Sequence, residues 1–127
     1  MDVKTHSLID KTLCGTPEEV SEDYARVQMT TTSQMAVDET GLVHGGFIFG
    51  LADHAAMLAV NHPNVVLGSA DVRFLKPVRP GEKISAVARV TETEGKKRIV
   101  EATVLRENEK ILQGRFDCYV LPKPVLS

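Results

Sequence analysis

The sequence of 127 residues has no tryptophan, only two cysteines and no apolar run long enough to cross a membrane. Cys14 and Cys118 lie far apart, and neither belongs to a Cys-x-x-Cys motif or a His/Cys cluster. Free thiols are therefore predicted rather than a disulfide framework or a metal site. The N-terminal stretch lacks the charged, apolar and small-residue order of a signal peptide. These absences favour a cytoplasmic protein with no membrane partner.

Neither sign of charge dominates the chain. The formal net charge is −2 at pH 7, so no basic excess points to nucleic acid as a partner. Hydrophobic residues make up 43% and charged residues 25%, which is typical of a globular protein. The length suits one domain, which we predict to span residues 1–127.

The most apolar stretch of the chain, residues 47–60, shows no preference for one helical face. A helix that is apolar on all sides is normally buried, and this one is shorter than the about 20 residues that a bilayer requires. Its only titratable side chains are Asp53 and His54. Burying an unpaired charge is costly, so an acid retained here indicates a functional role for Asp53. His54 points about 100° away from Asp53 and is interpreted as a packed or interface histidine.

Two glycines, Gly45 and Gly46, precede this apolar stretch. The first N–H groups of a helix have no partner within the helix, and the helix dipole there favours negative charge. Glycine lets a ligand approach such a backbone closely. Taken alone, the pattern fits an ordinary loop-to-helix junction equally well. Combined with Asp53 two turns later, it favours a site for a polar substrate group.

After the helix the hydrophobic period changes to two, which predicts β-strands. A strand is also predicted before the helix at 24–31, and a weaker one at 11–20 follows a short helical turn within 1–13. In the last strand one face is apolar and includes Cys118, and the opposite face is more polar. This alternation is typical of an antiparallel sheet that covers a helix, so the predicted fold class is α+β. The strands after the helix are predicted at 65–76, 83–93, 97–106 and 110–121.

A family resemblance rests on two segments. Residues 38–46 are Asp-Glu-Thr-Gly-Leu-Val-His-Gly-Gly, followed by Leu-Ala-Asp at 51–53. This resembles the acyl-CoA thioesterases of the phenylacetate-pathway branch, whose motif is Asn, a Gly three residues later, His-Gly-Gly and then Leu-x-Asp. Residues 74–82, Phe-Leu-Lys-Pro-Val-Arg-Pro-Gly-Glu, are similar to the family's aromatic-x-x-Pro segment. The resemblance covers 38–90 well and implies the hotdog fold, a curved antiparallel β-sheet wrapped around a central buried α-helix.

The resemblance implies an enzyme that hydrolyses an acyl-CoA thioester to free acid and coenzyme A. Coenzyme A then enters as part of the substrate, and no separate cofactor or metal is expected. By position, Asp53 would be the base or nucleophile, the Gly46 N–H would polarise the carbonyl, and His44 would hold the loop or contact the thioester. Hotdog sites commonly form between subunits, so we expect self-association to a dimer or tetramer with strand 65–76 at the boundary.

Asp38 stands where the family pattern has Asn. An Asn can donate a hydrogen bond, whereas an ionised Asp can only accept one. If Asp38 lies near Asp53, the two carboxylates would titrate as a unit and one apparent pKa would rise. Alternatively, Asp38 caps a turn in the loop. The sequence leaves both alternatives open for this fourth catalytic candidate.

Further residues are candidates for substrate contacts, although solvated strand faces and hairpins are the alternative interpretation for several of them. They are Gly45 for close backbone approach, Phe47 and Phe74 for the acyl pocket, Ser69 as a helper hydroxyl, and Arg73, Arg79, Lys97 and Arg98 for the coenzyme A phosphates.

Two other function classes remain open. A hotdog hydratase or dehydratase would use an acid–histidine pair, which Asp38 and His44 echo, although the Asn-Pro of the hydratase motif is missing between them. A ligand-binding module, like the effector domain of a fatty-acid-synthesis repressor, would bind acyl-CoA without turnover. Thiol release separates hydrolysis from binding, and loss of enoyl absorbance would reveal hydration.

Overall fold

The computed structural model describes all residues from Met1 to Ser127. It contains two α-helices, one 3₁₀ turn (Ser33–Met35) and six strands. The helices are α1 (Lys11–Cys14) and α2 (Gly45–Val60); the strands are β1 (Thr16–Ser21), β2 (Tyr24–Thr30), β3 (Val65–Phe74), β4 (Lys83–Glu94), β5 (Lys97–Arg106) and β6 (Glu109–Val120). All six strands form one sheet in the order β1-β2-β4-β5-β6-β3, and every neighbouring pair is antiparallel.

Helix α2 is the central element, and the sheet packs against it. It contains the predicted stretch 47–60, begins two residues earlier at Gly45, and is followed by the cap residue Asn61, which adopts the left-handed conformation. Burial is less complete than predicted, because one face of α2 is only partly covered within one chain. That face carries Gly46, Phe49, Gly50, Asp53 and Val60. Neither helix is long and apolar enough to span a bilayer.

The strands agree with the predicted periodicity except at their ends and at the N-terminus. The predicted strand at 97–106 coincides with β5, whereas 65–76 is too long because β3 ends at Phe74. The prediction of strand from residue 11 is wrong. The Asp10 side chain accepts hydrogen bonds from the N–H groups of Thr12 and Leu13 at 2.9 and 3.0 Å, which caps α1 as a helix. Gly15, with φ of 97°, then turns the chain into β1.

Strand β3 lies at an edge of the sheet. One side of it pairs with β6, and the other side has no strand neighbour. The register shifts between Leu67 and Ser69, which makes Gly68 the extra residue of a bulge. Leu67 and Val72 pack on the core, so Ser69 and the alternate residues after it face the outer surface. The free backbone groups of such an edge can pair with another chain.

The N-terminal segment is tied to the end of α2 by one side chain. Asn61 is 8% exposed. Its Oδ1 accepts a hydrogen bond from the Lys4 N–H at 2.8 Å, and its Nδ2 donates to the Asp2 carbonyl at 2.8 Å. The first residues of the chain are therefore held against the C-terminus of α2.

We expect Asn61→Gly to release this segment. Glycine keeps the left-handed backbone but loses both side-chain hydrogen bonds, each worth about 0.5–1.5 kcal/mol net. The free energy of unfolding should fall by about 1–3 kcal/mol, and the Lys4 amide should exchange much faster with solvent. Asn108→Gly is the matched control, because exposed Asn108 makes no side-chain hydrogen bond. Unchanged Lys4 exchange in Asn61→Gly would contradict the assignment.

Candidate functional site

The chain enters α2 through a tightly fixed segment. The Val43 N–H donates to the Val78 carbonyl at 2.9 Å, and the His44 N–H donates to the Met35 carbonyl at 2.8 Å. His44 is the N-cap residue, and its side chain makes no capping hydrogen bond. The N–H groups of Gly45 and Gly46 have no hydrogen-bond partner within the chain. The helix start therefore presents open donors on a held backbone, as the sequence predicts.

Several predicted residues meet at this helix start. A Cβ on Gly45 would lie 3.2 Å from the Phe74 ring, and a Cβ on Gly46 would lie 3.0 Å from Nε2 of His44. The exposed His44 ring stands edge-on to Phe47, with 6.1 Å between the ring centroids. A cleft of about 330 Å³ opens here, and its lining is mainly apolar: Leu42, Val43, Gly45, Ile48, Phe74, Leu75, Lys76, Pro77 and Val78.

Asp53 lies on α2 seven residues after Gly46 and is half-buried. Its Oδ1 is buried and has no hydrogen-bond partner. Burial raises the pKa of Asp53 from 3.8 to about 6. A carboxylate with a pKa near neutrality can accept and return a proton at physiological pH, which suits general acid–base chemistry.

Asp53 is the acid–base candidate of this face, because the titratable groups around it are not suited to that role. His54 is 2% exposed, its Nδ1 donates to the Cys14 carbonyl at 3.0 Å, and burial lowers its pKa, so it is a neutral packed residue. The Cys118 thiol is fully buried, which raises its pKa to about 12. Burial also raises the pKa of Cys14. Neither thiol is activated as a nucleophile.

Gly46 and Asp53, the two principal candidates, are separated along α2 within one chain. Seven residues correspond to about 10 Å along the axis, and a rotation of about 700° returns Asp53 to nearly the same face as Gly46. A base must come within about 3 Å of the proton it removes, and an oxyanion donor must be as close to the carbonyl oxygen. One chain therefore presents both groups on one face, at backbone positions that lie further apart along the axis than either contact distance.

Asp38 lies away from Asp53 in an exposed turn. Its Oδ1 accepts hydrogen bonds from the N–H and the hydroxyl of Thr40 at 2.9 and 2.6 Å. The hydroxyl contact is the main reason that the pKa of Asp38 lies below its usual range. Asp38 makes no hydrogen bond with His44. Within one chain it has the role of a turn cap, and it shares no titration with Asp53.

Ser69 and Arg73 do not reach the helix start in one chain. Both lie on the outer face of β3, where the Ser69 hydroxyl donates to Oδ2 of Asp117 at 3.2 Å and Arg73 is exposed. They are on the side of the sheet opposite α2, and their predicted contacts with the substrate remain predictions.

The cations are placed at two ends of the molecule. Lys97 pairs with Tyr119 on β6, whereas Phe74, which touches the helix start, pairs with Leu112. Seven strand residues span about 23 Å, so Lys97 and its neighbour Arg98 lie far from Gly46. Exposed Arg79 follows Val78 in the loop that fixes the helix start. Arg73, next to Phe74, also lies at this end but on the outer face of β3, so Arg79 is the predicted phosphate contact in the loop beside the helix start.

Gly50 is a further residue of interest on this face of α2, and it is not among the predicted site residues. It lies between Gly46 and Asp53 on the partly covered face of α2, and a Cβ there would meet no atom within 4 Å. The available sequence signal was a glycine inside a helical pattern, which is disfavoured unless packing or function requires it.

The sheet wrapped around α2 is the hotdog fold. A family model described as Thioesterase superfamily matches residues 40–112, more than half of the chain. The protein therefore belongs to the thioesterase superfamily, which confirms the resemblance found in the sequence.

Solved structures agree with this assignment. PH1136 from Pyrococcus horikoshii is 56% identical with a TM-score of 0.99, and the match covers 100% of this chain and 98% of that one. The PaaI protein of the phenylacetic acid degradation operon of E. coli is 24% identical with a TM-score of 0.80 over 88% and 83% of the two chains. The second likeness shows the shared fold.

Curated relatives are longer proteins. The chain is 51% identical over 116 residues to a methylthioribose-1-phosphate isomerase of Aquifex aeolicus, which covers 91% of this chain and 25% of that protein. It is 32% identical over 80 residues to the transcription factor FapR of Bacillus subtilis, covering 61% and 43% of the two chains. The chain thus spans less than half the length of either relative.

We expect Asp53→Asn to stabilise the protein above pH 6. The folded pKa of about 6 exceeds the ordinary 3.8, so the folded state holds a proton that the unfolded state releases. The stability that this carboxyl contributes is present below pH 4 and is lost as the pH rises through 6. A shift of this size corresponds to about 3 kcal/mol. In urea unfolding at pH 8, the free energy of unfolding of Asp53→Asn should exceed that of the wild type by up to that amount. The difference should disappear near pH 4.

Asp117→Asn is the control for this pH dependence. The Arg115 side chain donates to Asp117 at 2.8 Å and lowers its pKa, so here the ionised form stabilises the fold. Asp117→Asn should therefore be destabilising at pH 8, with the effect shrinking in acid. An Asp53→Asn difference of the same size at both pH values would show that burial of the charge is not its cause.

Proposed function

We propose that this protein hydrolyses acyl-CoA thioesters, with Asp53 as the essential carboxylate and the Gly46 N–H as the oxyanion donor. The observation that carries the proposal is the buried Oδ1 of Asp53, which has no partner on an apolar helix whose first turn presents open N–H groups. Thioester hydrolysis develops negative charge on the carbonyl oxygen, and a preorganised backbone donor stabilises that charge. Membership of the thioesterase superfamily supports the reaction class.

The active unit in this proposal contains two chains. Asp53 and Gly46 of one chain are about 10 Å apart, so each needs its counterpart from elsewhere. The free edge of β3 and the partly covered face of α2 are both available to a second copy. Two copies related by a two-fold axis would supply Asp53 from one chain and Gly46, with His44, from the other.

The carboxylate supports two chemical routes. As a base, Asp53 takes a proton from water, the water oxygen bonds to the carbonyl carbon, and the C–S bond breaks as the leaving thiolate takes the proton back. As a nucleophile, Asp53 displaces the thiolate, forms an anhydride and is regenerated by water. Both routes release the free acid and coenzyme A. Single turnover in ¹⁸O-water separates them, because the anhydride route can place oxygen from the enzyme in the product.

The proposed contacts with coenzyme A lie near the start of α2. The apolar cleft beside Gly45 and Phe74 suits the thioester arm, and exposed Arg79 is the nearest predicted partner for a phosphate. Arg73, Lys97 and Arg98 would contribute only from a second chain. Exposed phosphate contacts weaken as salt is added, so the affinity for acyl-CoA should fall with ionic strength. The two free cysteines support a reducing compartment, which we propose to be the cytoplasm.

A second candidate is binding of an acyl-CoA without turnover. The similarity to a transcription factor over 80 residues favours it, because that relative carries this domain in a protein named for regulation. The match covers only 25% of the Aquifex isomerase, so the name of that protein gives no activity for this chain. Hydration of an enoyl-CoA is less favoured, since the Asp38 carboxylate is engaged by Thr40 rather than His44.

Asp53→Asn should lower kcat for the best acyl-CoA by about 10²–10⁴-fold, the usual contribution of a positioned base. The wild-type rate should rise with pH through about 6 and level off above 7, because the carboxylate must be ionised. The measurement is thiol release across short, long, branched and aromatic acyl-CoAs. Asp38→Asn is the control and should keep most of the turnover.

Three results would decide against hydrolysis at Asp53. Wild-type rates in Asp53→Asn would show that the carboxylate is assigned wrongly. Tight acyl-CoA binding without thiol release would establish the binding module instead. Loss of enoyl absorbance on adding enoyl-CoA would identify a hydratase.

Mixing two inactive variants tests the two-chain site. Gly46→Pro removes the donor in a first turn that tolerates proline, and Asp53→Asn removes the acid. If each site combines the two groups from different chains, half of the randomly mixed dimers are hybrids with one intact site. About a quarter of wild-type activity should then return on mixing. No recovery, or a monomer in sedimentation at micromolar concentration, would exclude a site shared between chains.

A further inference from the structure

Eight of the nine glycines have either a positive φ or an atom close to the position of an added Cβ, and one has neither. Four have a positive φ that other residues rarely adopt: Gly15, Gly41, Gly81 and Gly95. At four others a Cβ would lie within about 3 Å of a neighbouring atom: Gly45, Gly46, Gly68 and Gly114. Gly50 alone has neither a positive φ nor any atom within 4 Å of an added Cβ.

Nothing within one chain requires glycine at this position. Gly50 lies in the interior of α2, where glycine is the poorest helix former after proline. An alanine would fit without contact and would favour the helix. The open volume beside Gly50 therefore has its explanation outside the single chain, in something that approaches this face of α2.

The location of Gly50 relates it to the proposed reaction. It lies one turn after Gly46 and about 4.5 Å along the axis before Asp53. Helical side chains lean toward the N-terminus, so the Asp53 carboxylate extends over the turn that contains Gly50. Phe47 and Phe49 flank this turn, and the Phe49 ring packs on Phe116 at 5.5 Å between centroids. The volume beside Gly50 thus adjoins the carboxylate and has apolar neighbours.

We propose that Gly50 is a specificity-determining residue that admits acyl groups with a substituent on the carbon next to the thioester carbonyl. The inference rests on the proposed hydrolysis at Asp53. A carbonyl carbon within reach of that carboxylate has its Cα over the Gly50 turn, where a methyl branch occupies the volume that a side chain would fill. The substrate class is therefore an α-branched acyl thioester, for which linear acyl groups leave the volume unused.

Gly50→Ala tests this with paired substrates. The kcat/KM for isobutyryl-CoA and 2-methylbutyryl-CoA should fall at least about tenfold relative to that for butyryl-CoA, within the range that one methylene imposes in a fitted pocket. Gly50→Val should enlarge the discrimination. The Tm of Gly50→Ala should rise by a few degrees, since alanine is the better helix former. Val60→Ile is the control: it adds one methylene on the same face beyond Asp53 and should leave the substrate ratio unchanged.

Each other outcome rejects the role of Gly50. An unchanged ratio in an active Gly50→Ala variant, or equal loss on branched and linear substrates, would overturn it while the Asp53→Asn result upholds the proposed function. Dissociation of the Gly50→Ala oligomer in sedimentation would assign the volume to the partner helix. A wild-type enzyme that hydrolyses linear but no α-branched thioesters would refute the substrate class. If no thioester is hydrolysed at all, the proposed function and this inference both fail.

Discussion

The structure holds one carboxylate, Asp53, partly out of water and with no hydrogen-bond partner for its Oδ1. Burial raises its pKa to about 6, which corresponds to about 3 kcal/mol of lost stability at neutral pH. A domain has only about 5–15 kcal/mol in total, so the rest of α2 must be held firmly. The buried apolar residues of the helix, the bond from His54 to the Cys14 carbonyl and the fixed entry at Val43 provide that support.

The partly covered face of α2 and the free edge of β3 would both be covered in the proposed two-chain unit. Gly46, Gly50 and Asp53 share this face, and Phe49 beside them packs on Phe116 of β6, the strand next to β3. The open side of the helix is therefore turned toward the open side of the sheet. Because a helix apolar on all sides is normally buried, a second chain at this edge would complete both elements at once.

The sequence predicts the elements of this fold better than their spatial order. A long apolar stretch predicts α2, an alternating hydrophobic period predicts the four later strands, and the family motif adds predicted roles for Gly46 and Asp53. The sequence predicts a short helical turn within 1–13 but begins a weak strand at residue 11, where the Asp10 cap makes α1 a helix. It cannot place Arg73 or Lys97, since that requires knowing that β3 pairs with β6 at the sheet edge. The bulge at Gly68 shifts the alternation by one residue, so that Leu67 and Val72 both face the core and Ser69 faces outward.

The separation of Gly46 and Asp53 along α2 matters for the proposed activity. Because the backbone of α2 cannot shorten, the donor at its start and the acid two turns later remain about 10 Å apart whatever the loops do. In the proposed hydrolysis, assembly is then a condition of catalysis rather than an addition to it. It also acts on the acid itself: a second chain would remove more water from Asp53 and raise its pKa further, unless donors at the partner's helix start offset the loss. The N–H groups that we propose as donors to the substrate oxygen would thus help to set the proton affinity of the carboxylate, which would couple chemistry and assembly at one face of one helix.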